Sequence, residues 1–261
     1  MSTGLIRYRG AIGNVTAENA EALFIYAVTL LAFTFSATAE ECRELLQSID
    51  NGSQHRAATT ELVHAITKVL LCQRGMRVIL VPCWHVLAKG MLSPIVNRDW
   101  WPYRIPISPQ AIKDDHRLRD LEILWMQPGR RYEYWFDILI QALKRLREDF
   151  ALISQLIAGD GLLQAHGSGK FFDKSSVMTW AFEIPPEFIN LLEERKSEAW
   201  VILSHYAILL FKAEDFWWIK DLALHIVSTA VLVLEKDMWK WIEWPASVLE
   251  IDLSDKLRSA S

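Results

Sequence analysis

Two segments, Leu203–Trp218 and Trp239–Pro245, hold five of the chain's twelve tryptophans on stretches that otherwise read as amphipathic helix. Each indole buries roughly 150–250 Å² when it packs, so this density demands a deep aromatic core or a large apolar hollow lined by rings. Trp217 and Trp218 are neighbours. On a helix they point about 100° apart, so only one of them can face a hollow squarely.

The rest of the chain can supply the remainder of such a core. Of 261 residues, 51% are hydrophobic and 23% charged, which excludes a disordered chain. The net charge is −4. The densest basic run, Lys144-Arg145-Leu146-Arg147, is followed at once by Glu148-Asp149. A nucleic-acid binder shows a basic face, so no direct contact with nucleic acid is expected. Cys42, Cys72 and Cys83 are odd in number and widely spaced, which gives neither a disulfide framework nor a zinc pattern. With MSTGLIRYRG at the start, the expected compartment is nuclear or cytoplasmic and not secreted. Ala22–Ala39 carries no charge, near the lower length limit for crossing a bilayer. Its hydroxyl residues and acidic flanks read as a buried helix rather than a membrane span.

Helical periodicity runs almost throughout. Glu18–Ser36 reads as one helix and Thr38-Ala39-Glu40-Glu41 as a capping box opening a second, through Ile49. Thr60–Leu80 follows, and Pro82 is expected to interrupt before a short helix through Met91. Residues 92–109 carry four prolines and form a proline-rich loop, ended by Ser108-Pro109 as the start of a helix through Trp125. A long helix is expected over Tyr132–Ile157 and a flexible loop over 159–174. Pro185-Pro186 opens a helix through Arg195, and Ser197–Lys212, Glu214–Leu234 and Lys236–Trp241 complete the series. No alternating strand pattern or fixed repeat is present. The predicted fold is all-α, a single-domain multi-helix array over residues 1–261 with a central apolar cavity and no sheet.

Several local patterns follow one another in an order that resembles a known family. Asn19-Ala20-Glu21-Ala22-Leu23 comes first, then Arg74-Gly75-Met76-Arg77-Val78 running into Pro82-Cys83-Trp84, then Asp114-Asp115-His116-Arg117-Leu118. Pro186-Glu187-Phe188, His205-Tyr206-Ala207, Asp215-Phe216-Trp217-Trp218 and Trp241-Ile242-Glu243-Trp244-Pro245 complete the series. In order and spacing the chain resembles the regulatory region of fungal binuclear zinc-cluster transcription factors, in particular the sterol uptake control group. The resemblance implies an all-helical, ligand-responsive domain that binds a hydrophobic small molecule, ergosterol in the sterol-sensing members, and forms a homodimer. Those regulators also carry six cysteines holding two zinc ions. Three cysteines cannot do this, so the expectation is a regulatory unit without the zinc cluster: a piece of a longer protein, a truncated paralogue or a descendant with another task.

The candidate ligand-binding residues are Trp84, His85, Trp100, Trp101, Tyr103, Arg104, His205, Trp217, Trp218 and Trp241. The segment Arg98–Arg104 sets three rings and two guanidiniums beside proline, a fitting mouth for an apolar body with one polar group. The alternative is a stand-alone cyclase or isomerase acting on a terpenoid or polyketide, with general acid–base work falling to His85, His205, Tyr206 or Asp215. Asp114-Asp115 resembles a magnesium–diphosphate pair only superficially, because Leu118 and Arg119 occupy the positions of the expected further carboxylate. An acidic pair favoured by the helix dipole explains it without metal. Gly167-Ser168-Gly169-Lys170 lacks the spacing and preceding strand of a phosphate loop. No metal site and no cofactor are predicted.

Overall fold

The computed structural model describes residues 3–50, 55–97, 104–165 and 174–253. Among them no strand occurs. The helices are α1 (Thr3–Ile12), α2 (Ala20–Asp50), α3 (His55–Gly75), α4 (Arg77–Leu87), α5 (Ser93–Val96), α6 (Pro109–Asp120), α7 (Phe136–Ala165), α8 (Thr179–Glu183), α9 (Pro186–Glu193), α10 (Ser197–Phe211), α11 (Leu222–Val233) and α12 (Glu243–Val248). Short 3-10 turns lie at Leu121–Leu124, Lys174–Met178 and Lys236–Trp241.

The axis of the molecule is α10, in which every residue from Glu198 to Leu210 is buried. A helix that is apolar all round is stable only when covered on every side. Here α11, α7, α12 and α9 supply the cover. The rings that cannot be left polar-unsatisfied are anchored: Trp180 Nε1 donates to the Ala142 carbonyl at 2.9 Å and Trp200 Nε1 to the Leu192 carbonyl at 3.0 Å. On the other side α2 and α3 pack along their length, with α4 beside α2 and α11 closing against both α2 and α3. The buried residues form one continuous cluster reaching from Ala20 to Leu249.

Where start signals were strong, the elements fall as expected. Ser108 Oγ accepts from Ala111 N at 3.1 Å with Pro109 in the first turn of α6, and α9 opens at Pro186. Four expectations are corrected. The Thr38 capping box starts nothing, since α2 runs unbroken from Ala20 to Asp50 and Thr38 is fully buried within it. Burial of Leu31, Phe35 and Cys42 on one continuous face outweighs a cap worth about 1 kcal/mol. The interruption before α4 lies at Gly75-Met76, and Pro82 sits inside α4. Residues 159–165 are helical as the end of α7, and the rest of the expected loop up to 173 lies outside the described residues. The helix expected over Glu214–Leu234 starts only at Leu222, after turns over 212–221 and Asp221 at a left-handed φ of 65°.

By length and composition α2 could cross a membrane, with a mean hydropathy of 1.8 over its most apolar window. Yet Ala20, Leu23, Phe24, Ala27, Leu31 and Phe35 are buried in the core. Its opposite face is open: Phe33 is 63% exposed and Ile25 51%.

Candidate functional site

At the centre, α2, α3, α10 and α11 enclose a hollow lined by Phe35, Leu70, Gln73, Tyr206, Leu222 and Ile226, among others. Its volume is about 10 Å³, room for roughly one water molecule. The predicted central apolar cavity is thus reduced to a narrow seam, and a sterol-sized body fits only after the surrounding helices part. The physical reason is ring-on-ring packing. Trp180 lies 4.4 Å from Tyr206 and 5.5 Å from Phe188, so these rings fill space against each other rather than enclosing it.

The surface that faces the seam is apolar throughout, although Gln73 and Tyr206 stand in its wall. Gln73 has no solvent exposure, and its Nε2 lies 2.7 Å from Met178 Sδ and 3.5 Å from Tyr206 Oη. Its Oε1 is buried without a hydrogen-bond partner, as is Ser176 Oγ nearby in sequence to Met178. Each such atom costs about 1–3 kcal/mol. Burial raises the Tyr206 pKa, so the phenol keeps its proton.

A second buried polar group lies on α7. Asp149 has no solvent exposure, accepts from Thr179 Oγ1 at 2.8 Å and pairs with Arg104 at 3.3 Å. Burial pushes its carboxyl up to about 7, against the opposing effects of Thr179 and Arg104. Arg104, expected to meet a ligand, thus meets the protein's own carboxylates, since it also pairs with Glu183 at 3.2 Å.

The other predicted residues are dispersed. Trp84 is 43% exposed on α4, with exposed His85 beside it. Trp100, Trp101 and Tyr103 lie outside the described residues. His205 is buried on α10, where its Nδ1–H donates to the Val201 carbonyl at 2.8 Å and its ring lies 5.5 Å from Trp244. Desolvation lowers its pKa to about 4, with the Val201 bond opposing, so the ring is neutral at ordinary pH. Trp217 points outward, 64% exposed, while half-buried Trp218 meets Phe35 edge-on at 5.4 Å; both sit in turns rather than on the helix expected for them. Trp241 lines a separate open cleft of about 400 Å³. That cleft is polar, floored by the Arg130–Glu198 ion pair at 2.8 Å. Of the alternative acid–base set, His205 and Tyr206 are core residues while His85 and Asp215 are exposed, so no shared constellation forms. Asp115 is held by Arg147 at 2.7 and 3.0 Å and by Arg119 at 3.3 Å. Cross-helix pairing, more than the helix dipole, explains that acidic residue. No group of His, Cys, Asp or Glu able to hold a metal occurs among the described residues.

Gln73 in the wall of the seam and Asp149 on α7 are not among the residues singled out from the sequence, although each carries a signal there. Gln73 extends the stripe Ile66, Val69, Leu70 by one turn, and Asp149 interrupts Ala142, Leu146, Ile153. A lone polar residue on a buried face marks a site that something must satisfy.

This chain has a zinc-cluster relative. It is 23% identical over 259 residues to a Zn(2)-C6 fungal-type transcription factor of Gibberella zeae, a match covering 96% of this chain and 47% of that protein. The chain thus spans about half the length of the curated relative it matches. At this distance the match shows a distant likeness to a fungal transcription factor. No protein-family model matches the chain, and no solved structure matches it.

Proposed function

We propose that this chain is a regulatory domain of the kind that accompanies fungal zinc-cluster factors, and that it responds to a hydrophobic small molecule by opening the seam around Gln73 and Tyr206. The observation that carries the reading is the nearly complete alignment of an all-helical chain with half of a transcription factor. On this reading it works in the nucleus or cytoplasm, leaves DNA contact to another domain and performs no chemistry. Ergosterol is the first ligand to test, from the resemblance to the sterol uptake control group. The homodimer implied by the same resemblance is best suited to the outer face of α2, where Ile25, Val28 and Phe33 lie exposed along an uncharged stretch.

Two experiments separate the layers of this reading. Fused to a heterologous DNA-binding domain, the chain is expected to change reporter transcription in a fungal host, and an inert fusion removes the regulatory role. Thermal unfolding with ergosterol at a hundred times its dissociation constant is expected to show about 2.7 kcal/mol of stabilisation. No shift with ergosterol or related lipids removes the ligand and leaves the regulatory role standing.

A further inference from the structure

The open cleft at the start of α10 carries charge of both signs and makes only part of the pairing available to it. Arg130 is fixed in its floor. The guanidinium carbon lies 5.5 Å from the Trp135 ring centre and 4.9 Å from that of Phe136, and the group donates to the Leu124 carbonyl. Its one ion pair is with Glu198, Nη2 to Oε1 at 2.8 Å. A guanidinium has five N–H donors and a carboxylate two oxygens. Arg130 therefore keeps donors to spare, and Glu198 Oε2 takes no hydrogen bond among the described residues. Glu198 is only 8% exposed, so what it shows to water it shows through this cleft. Around the floor stand Glu235, Asp237 and Lys240, all exposed and none in an ion pair among the described residues. Half-buried Trp241 and Met238 give the cleft an apolar wall.

We propose that this cleft binds a small zwitterion, an α-amino acid with an apolar side chain. Its ammonium answers Glu198 Oε2 and the carboxylates of Glu235 and Asp237. Its carboxylate answers the spare donors of Arg130 and the Lys240 ammonium, and its side chain lies against Trp241 and Met238. The volume of about 400 Å³ falls at the small end of ligand pockets, which run from about 300 to 1,000 Å³. Other classes of ligand fit the lining less well. A wholly apolar molecule would strip water from five charged groups and replace none of it. An anion meets three carboxylates against two cations, and a simple cation leaves Lys240 and the spare Arg130 donors unanswered. A zwitterion answers both signs and adds no net charge. Because its two rings already hold Arg130 in place, little order is lost there on binding. The cleft is separate from the central seam, and the assignment does not depend on that seam opening.

The test titrates the whole chain with three probes, following binding by calorimetry and by ligand-observed NMR. They are L-leucine, leucinamide, which lacks the carboxylate, and N-acetylleucine, which lacks the ammonium. L-Leucine is expected to bind about tenfold more tightly than either capped form, the worth of one charge-assisted hydrogen bond. Lys240→Gln is expected to weaken leucine by about three- to fivefold, as suits an exposed charge, and to leave leucinamide as it was. Glu235→Gln combined with Asp237→Asn is expected to weaken leucine by a similar factor and to leave N-acetylleucine as it was. All three side chains are exposed, so without ligand these variants are expected to unfold at the temperature of the unaltered chain. Leucinamide or N-acetylleucine binding as tightly as leucine overturns the zwitterion. Leucine affinity unchanged in both variants overturns the assignment to this cleft. No binding of any probe at millimolar concentration overturns the site altogether, and each of these results leaves the regulatory reading where it stands.

Discussion

Helices α10 and α2 are both rich in apolar residues, and only one of them is covered. Every residue of α10 from Glu198 to Leu210 is buried, its ends tied in by α9 and α12. The longer α2 buries one face against α3, α4 and α11 and leaves Ile25, Val28 and Phe33 in solvent. Hydropathy thus records how much cover a helix needs and is silent on who provides it. In α10 the chain itself does so, and the outcome is a core too full to hold a ligand in this state. In α2 half the cover is left for something beyond these helices, and that is where we place self-association.

The largest effect tests the filled side. Trp200→Ala removes a fully buried indole and its bond to Leu192, and is expected to cost about 3–5 kcal/mol in chemical denaturation. A loss below about 1 kcal/mol would mean that the space around α10 is loose, and the contrast with α2 would dissolve.

The pH dependence sharpens the comparison on the filled side, because two buried groups there act in opposite senses. Asp149 has a folded pKa of about 7, above its unfolded value, so its protonated form is favoured by folding. Its contribution is present at low pH and fades as pH rises from about 4 to 7, with a slope of at most about 1.4 kcal/mol per pH unit. Asp149→Asn is expected to flatten that part of the stability curve. His205, with a folded pKa of about 4 below its unfolded value, does the reverse. It is buried neutral, so stability is lost as pH falls from about 6.5 to 4, and His205→Phe is expected to remove that loss. Urea midpoints of the three proteins from pH 4 to 8 are the measurement. Curves that superimpose would mean that both groups titrate in the folded protein as they do in water.

The smallest expected effect is on the open side. Phe33→Asp is expected to alter monomer stability by less than about 0.5 kcal/mol, because the ring is 63% exposed. The same substitution is expected to lower the sedimentation coefficient if α2 carries the dimer contact. A cost of several kcal/mol would instead mean that Phe33 is already covered in solution.

Much of this was legible in the residues. The all-helical class and the positions of α6, α9 and α10 follow from caps, prolines and the helical period. Two boundaries were lost because tertiary burial overrode a local sign. Thr38 offered a cap inside a helix that the core holds straight, and apolar periodicity continued across 214–221 where the chain in fact turns at Asp221. The size of the hollow was not legible at all. Counting rings tells how much surface they offer, and whether they enclose space or fill it depends on contacts such as Trp180 with Tyr206. Arg104 was read as free to greet a ligand because Asp149 and Glu183 are 45 and 79 positions away in sequence.

The outward Trp217 and inward Trp218 give this molecule a gauge of its own state. Two adjacent chromophores sit in unlike media, one accessible to an aqueous quencher and the other shielded by Phe35 and Phe216. A loosening of Phe35 and Phe216 around Trp218 is expected to redden its emission and open it to the quencher, while Trp217 stays as it is.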